Sequence, residues 1–182
     1  MTTAITRKER LGLWLHRTLD KRFSRFSVGL FRRTDGGITE RAGVDGLVLT
    51  TVGRKSGKRR SVLLQYFHDG DGMLLVAADG GGDRHPAWFH NLMAQPLAEV
   101  EIAGQALPVR AERVGGTEAD ALWPAILERA PDYERYLRAT DRTIPLVRLH
   151  SESDQGRAPG VADDRRESHS PQGRTDVRRI AR

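Results

Sequence analysis

The chain has 182 residues, 38% of them hydrophobic and 30% charged, with a mean hydropathy of −0.53; this is enough for one domain with a sizeable core. Its net charge of +6 and pI of about 10.3 permit nucleic acid, anionic lipid or a phosphorylated ligand as partner and select none of them. Cysteine is absent, which excludes disulfides and thiolate-metal sites, and no apolar run reaches the length of a membrane span or a signal peptide.

The charge is uneven along the chain. Residues 7–33 carry many Arg and Lys against only Glu9 and Asp20. The apolar series Leu11, Trp14, Leu15, Leu19, Phe23, Phe26 and Leu30 has helical spacing. Residues 1–36 are therefore expected to hold an amphipathic basic helix, which covers one side of the core or lies on anionic membrane. Asp35-Gly-Gly is a turn, after which residues 37–150 form the main domain.

Gly46–Val52 and Ser61–Phe67 read as strands, being apolar and β-branched. Asp69-Gly-Asp-Gly72 is a hairpin turn, returning through a third strand, Met73–Ala78. A Gly-rich loop over residues 79–83 leads to a short helix within His85–Met93, with Pro86 in its first turn. Ala98–Ile102 and Ala106–Val114 follow as strands, the second placed at an edge or bulge by Pro108. Thr117 is the expected N-cap of a helix over Glu118–Arg129. A second helical piece begins at Pro131, and Ile144–Leu149 is the last strand. Residues 151–182 are rich in Ser, Asp, Gly, Pro and Arg and read as a solvated tail. No strand-helix-strand crossover recurs, so the expected fold is α+β, mainly β: a six-stranded antiparallel split barrel with peripheral helices.

The stretch Thr51-Val-Gly-Arg-Lys-Ser-Gly-Lys-Arg-Arg-Ser-Val62 concentrates charge at a hairpin tip, with five cations between Arg54 and Arg60. It is not a Walker A loop. Gly53 and Gly57 are one residue too close, and Arg59 follows Lys58 where Ser or Thr would ligate magnesium. His85 and His90 lack the spacing of two metal ligands on one helical face, and no metal site is expected. Neither Ser56 nor Ser61 shows a nearby base. Glycine frees backbone N–H groups to face an anion, while Arg and Lys add charge. The flanking strands are apolar and Glu99 and Glu101 lie on a neighbouring one, so a compact polyanion fits better than a nucleic-acid backbone.

A series of fragments in order identifies a relative: Gly53-Arg-Lys-Ser-Gly57 with Arg60, Gly80-Gly81, His85-Pro-Ala-Trp88, Asn91-Leu92, Ala94-x-Pro96, Trp123-Pro124, Pro131-x-Tyr133-x-x-Tyr136 and Thr140-Asp-Arg-x-Ile-Pro145. Over about residues 40–150 the chain resembles the deazaflavin (F420)-dependent nitroreductase and quinone reductase family of split-barrel oxidoreductases. The resemblance implies coenzyme F420, a deazaflavin with a phosphate-linked oligoglutamate tail, and hydride transfer from its reduced form to a quinone or other conjugated or nitro acceptor. It implies that Arg54, Lys55 and Arg60 grip the acidic tail, with Ser56, Gly57, Ser61, Val62, Val76, Ala77, Ala78 and Asp79 touching the coenzyme. Ala87, Trp88, Phe89, His90 and Asn91 would lie near its ring. Tyr133, and less directly Tyr136, are the implied catalytic candidates, shaping the substrate pocket and supplying a proton. Ala78-Asp79 replaces the Ser-Lys frequent in the family, and Gln65 and Ala130 stand where its nitroreductase has aromatics, which implies a wider pocket suited to a quinone. The remaining alternatives are an FMN-binding split-barrel oxidoreductase and a non-enzymatic basic module on nucleic acid or anionic membrane. The expected location is cytoplasmic, with peripheral contact at the inner face of the membrane.

Overall fold

The computed structural model describes residues 26–41 and 43–152, apart from the Ile38 side chain. The part of the expected N-terminal helix before residue 26, and the tail from 153 onward, lie outside the described residues. Helix α1 occupies residues 26–33, and α2 is the single turn Gly37–Arg41. The strands are β1 Gly46–Val52, β2 Arg59–Gln65, β3 Phe67–Asp69, β4 Gly72–Val76, β5 Leu97–Ile102, β6 Gln105–Val114 and β7 Leu146–Ser151. Helix α3 is Ala87–Ala94, α4 is Gly116–Arg129 and α5 is Asp132–Ala139.

Seven antiparallel strands form one row in the order β2-β1-β5-β6-β7-β4-β3. The end strands β2 and β3 are separated in the chain by Tyr66 alone. Consecutive Cα atoms are about 3.8 Å apart, so the row must curl until its ends meet. Residues 59–69 are thus one bent run that pairs with β1 in its first half and β4 in its second. This corrects the expected count of six strands to seven. The bend at Tyr66, whose N–H donates to Asp45 O at 2.9 Å, divides what the apolar pattern alone presents as one strand.

The curled sheet has one core inside and two outside. Leu47, Leu49, Leu75, Val100, Val109, Val147 and Leu149 fill the interior, joined by Trp88, Phe89 and Leu92 from α3. Outside, Val28 and Phe31 of α1 pack on Val48 and Leu63. Phe26, part of the expected apolar stripe, is 66% exposed; the buried stripe in the described part of α1 is shifted to Val28 and Phe31. Helices α4 and α5 cover Phe67, Leu74, Val76, Val114 and Leu146. Alternation of side chains on β4 explains the division: Leu75 faces in, Leu74 and Val76 face the helices.

Four local expectations are corrected. Pro108 sits in β6, an inner strand of the row, and is tolerated because it lies at the end of the β6–β7 ladder, where its carbonyl still accepts from Glu152 N–H at 3.1 Å and only its own missing N–H goes unmatched. Helix α4 is capped by extended Gly115, with no side-chain cap, and Thr117 lies inside its first turn. Ser151 belongs to β7 rather than to the tail. The third strand also ends at Val76, because Ala78 turns into αR geometry.

Candidate functional site

The basic hairpin joins β1 to β2. Gly53 N–H donates to Lys58 O at 2.9 Å, and Gly57 N–H to Gly53 O at 2.8 Å. The two glycines serve the loop in different ways. A Cβ on Gly53 would meet Ser56 Oγ at 2.8 Å, whereas Gly57 has open space but a φ of +63°. Buried Asn91 of α3 secures the loop's first residue: its Oδ1 accepts from Arg54 N–H at 3.1 Å, and its Nδ2 donates to Thr51 Oγ1 at 3.0 Å. Arg59 is committed to Glu99 at 2.7 Å, and Arg32 to Glu101. Arg54, Lys55, Lys58 and Arg60 are exposed and pair with no carboxylate among the described residues.

Beside this loop the barrel is split. The bent run leaves β1 at Tyr66, so β2 has an edge that no strand covers among the described residues. Backbone groups alternate in direction along an antiparallel strand. Lys58 O and Tyr66 N–H both point toward β1, so by parity the groups of Ser61, Leu63 and Gln65 point to the free edge. On β4, Ala77 N–H donates across to Pro145 O at 2.9 Å, so the groups of Val76 point to the other side, away from β7. Continuing the β3–β4 register from Phe67 opposite Leu74 brings Val76 across from Gln65. Ser61 and Val76, remote in sequence, therefore lie on two lips of one cleft. The Ser61 hydroxyl is taken by Thr50 Oγ1 at 2.8 Å, leaving its backbone as the group available at the cleft. By the same parity Val62 directs its backbone to β1 and its side chain into the core.

The second lip turns sharply. Ala78 is αR with φ −73°, and Asp79, Gly80 and Gly81 are left-handed with φ of 49°, 60° and 74°. Asp tolerates that region better than most residues. Gly81 is required sterically: a Cβ there would lie 2.8 Å from Ala139 Cβ and 3.2 Å from Tyr136 O, so α5 packs directly on the turn. The turn is also tied from behind by Arg142. Its guanidinium donates to Ala78 O at 2.6 Å, Ala77 O at 3.3 Å and Gly82 O at 2.7 Å. Arg142 Nη1 donates to His85 Nδ1 at 2.9 Å, which places the His85 proton on Nε2. Burial, then the charges of Arg142 and His90, push His85 below its ordinary pKa, so it is neutral at pH 7.

Tyr133 on α5 packs edge-on to Phe67 at 6.0 Å and to Tyr136 at 5.6 Å, in the cluster that holds Val76 and Ala78. Burial, and then Tyr136, push its phenol up to about 12. Its hydroxyl has no protein partner among the described residues and is not sealed from the surface. Such a group is a hydrogen-bond donor at neutral pH and a poor source of a released proton.

Comparison with known proteins names this arrangement. The profile of the F420H(2)-dependent quinone reductase family matches residues 23–151. The chain belongs to the F420H(2)-dependent quinone reductase family. The chain is 36% identical over 144 residues to an F420H(2)-dependent quinone reductase found in Mycobacterium tuberculosis strains H37Rv and CDC 1551, covering 76% of this chain and 97% of the relative. A solved F420-H2 dependent reductase, FDR-A, is 34% identical with a TM-score of 0.53, covering 58% of this chain and 94% of that one.

Among the site residues that the family resemblance implied, the register sets Ser61 and Val76 on facing edges, with the loop from Arg54 to Arg60 at the start of β2 and the turn at Ala78 and Asp79 at the end of β4. It gives others a structural task. Trp88 is 8% exposed and packs at right angles to Phe89 in the barrel interior, so it reaches a ligand by one edge at most. Phe89 is wholly a core side chain, Ala87 is exposed at the start of α3, and half-buried His90 stacks near His85. Asn91 spends its amide on Thr51 and Arg54. Arg142 carries no role in the sequence reading, although it stands in the motif ending at Pro145. Nothing in local spacing says that its guanidinium folds back onto a loop sixty residues earlier. Arg59 is engaged by Glu99, and the charge of Asp79 acts on Arg142.

Proposed function

We infer that this protein transfers a hydride from reduced coenzyme F420 to a quinone. One arrangement carries the reading: strand register sets backbone groups of Ser61 and Val76 on facing edges, beside four exposed cations without carboxylate partners among the described residues. An elongated ligand with a flat, acceptor-rich ring and a polyanionic tail satisfies both halves at once. Bound there, the reduced deazaflavin supplies the hydride, and its carbon at the flavin N5 position favours two-electron transfer.

The chain's own residues supply position and environment. Arg54, Lys55 and Arg60 hold the acidic tail through charge-assisted contacts, and Lys58 adds to the field. Ser56 and Gly57 shape the loop that presents them. The backbone of Ser61, Val76, Ala78 and Asp79 orients the ring's polar edge, with the edge of Trp88 beneath. Tyr133 covers the mouth and donates a hydrogen bond toward the reduced acceptor, with Tyr136 packed behind it. Gln65 and Ala130 leave room that an aromatic pair would fill, which suits a quinone over a small nitroaromatic.

The test is a titration of protein into F420, following the coenzyme's fluorescence. Saturable change at micromolar protein is expected; no change refutes the reading. Lys55→Glu and Arg60→Glu each raise the Kd about three- to tenfold at low salt, an effect that shrinks as the Debye length falls toward about 8 Å. Protein that instead purifies yellow, with one equivalent of FMN, would replace the coenzyme and keep the fold.

Among the described residues no helix is long and apolar enough to cross a membrane. A cytoplasmic protein that touches the anionic inner face through the basic stretch of residues 7–33 suits a lipid-soluble quinone. Co-sedimentation with phosphatidylglycerol vesicles but not phosphatidylcholine vesicles tests that contact; equal binding to both, or to neither, refutes it.

A further inference from the structure

We propose that Arg142 is a positioning residue for the coenzyme: it draws the carbonyls of Ala77 and Ala78 to the back of the lip, so that the N–H groups of Ala78 and Asp79 face the cleft in succession. This rests on the coenzyme reading above and adds to it a residue that never touches the ligand.

The argument follows from the peptide plane. In a trans peptide the C=O and the next N–H point in opposite directions. Arg142 Nη2 holds Ala77 O at 3.3 Å and Ala78 O at 2.6 Å, so the N–H groups of Ala78 and Asp79 must aim away from the guanidinium. The side away from Arg142 is the cleft, because Ala77 N–H on the opposite side is already bonded to Pro145 O at 2.9 Å. Extended geometry at Ala78 would have sent its carbonyl into the cleft by strand parity. The αR conformation of Ala78 reverses that peptide, and the reversed carbonyl is shared by Arg142 at 2.6 Å and by Gly81 N–H at 3.0 Å. An acceptor-poor, donor-rich lip replaces one that would have alternated donor and acceptor.

Arg142 is itself held. His85 Nδ1 accepts from Nη1 at 2.9 Å, and Gly82 O accepts from Nε at 2.7 Å. Three acceptor directions fix the plane of the guanidinium, which lysine cannot reproduce. Ala78 followed by Asp79 alternates αR and αL conformations, the backbone form in which neighbouring N–H groups converge on electron-rich ligand atoms. Tail cations lie on the other lip, so Arg142 governs the ring end of the ligand and the basic loop governs the tail end.

The test compares Arg142→Lys and Arg142→Met with Arg148→Met. Arg148 is a control, also partly exposed, that bonds Asp69 and Glu118 and no carbonyl of the lip. Two readouts are taken: F420 affinity by fluorescence, and backbone amide signals of the coenzyme-free protein by NMR. Both Arg142 variants should raise the F420 Kd at least tenfold and move the Ala78 and Asp79 amide signals, while Arg148→Met lowers the melting temperature with a Kd within twofold of wild type. Free guanidinium at low millimolar concentration should restore part of the affinity of Arg142→Met. If Arg142→Met does not fold, Arg142→Lys decides. A folded Arg142 variant with wild-type Kd, or with unmoved Ala78 and Asp79 amides, overturns the proposal. A wild-type protein that leaves F420 fluorescence unchanged instead overturns the coenzyme reading, a result separate from either.

Discussion

Replacing Asn91 with Ala removes the one side chain that joins α3 to the base of the cation loop. Two hydrogen bonds vanish, to Thr51 Oγ1 at 3.0 Å and from Arg54 N–H at 3.1 Å. Each contributes about 1 kcal/mol net. Thr51 is 2% exposed, so its hydroxyl loses a partner where water cannot easily replace it, although its bond to Asn91 can be exchanged for one to its own backbone. Arg54 N–H lies at the exposed loop and recovers a water. The sum is about 2 kcal/mol, which for a domain of this size lowers the melting temperature by roughly 6 °C. The loop, no longer anchored at Arg54, must then be ordered when ligand binds, and the F420 Kd rises about tenfold. Asn91→Asp keeps the acceptor for Arg54 N–H but turns the donor to Thr51 into an acceptor, so that Thr51 must donate, and it buries a charge; it should fall between wild type and Ala. Thermal melts by circular dichroism and the fluorescence titration measure both effects. A melting temperature for Asn91→Ala within 2 °C of wild type would show that the two bonds do not hold the loop, and the account of the site's first lip would fail with it.

Gly81→Ala places a Cβ 2.8 Å from Ala139 at a φ of +74°, and should lose about 2–4 kcal/mol in chemical denaturation; a neutral result would mean that α5 does not pack as described. Tyr133→Phe removes a hydroxyl with no protein partner among the described residues, so its melting temperature should stay within about 2 °C of wild type while kcat falls. With the phenol pushed up to about 12, the substitution should leave the pH profile of kcat unchanged in shape between pH 6 and 9; a lost ionisation in that window would refute the neutral-donor role. His85 is held below its ordinary 6.5, first by burial and then by Arg142 and His90. The unfolded chain therefore takes up the proton first, so stability present above pH 6.5 is lost as pH falls below it toward the folded value. His85→Asn, which keeps an acceptor for Arg142, should show a smaller drop in melting temperature between pH 7.5 and 5.5 than wild type, and an equal drop would rule His85 out as its source.

The strands and helices from residue 46 to residue 149 were legible because each rests on a local pattern. Gly46–Val52 is apolar and β-branched, Asp69–Gly72 is a turn, and Pro86 opens a helix. The basic loop was legible for the same reason: five cations between two glycines stand out in any context. The coenzyme was not written in composition or periodicity and came from the ordered fragments. Elsewhere local rules misled. Thr117 is a fine cap in isolation, yet Gly115 takes that position because the chain leaves β6 in extended form. Packing tasks are also invisible locally: Trp88 lies largely in the core, with one edge left for a ligand, and Asn91 bridges α3 and the loop.

By itself, then, the sequence determined where strands, turns and the charged loop lie, since side-chain alternation, glycine and proline act over a few residues at a time. Only the tertiary structure decided that Tyr66 bends one strand into two, that Ser61 and Val76 share a cleft, and that Arg142 reaches back to Ala77 and Ala78. Those facts depend on how a seven-stranded row closes on itself, and closure is a property of the whole sheet that no window of residues contains.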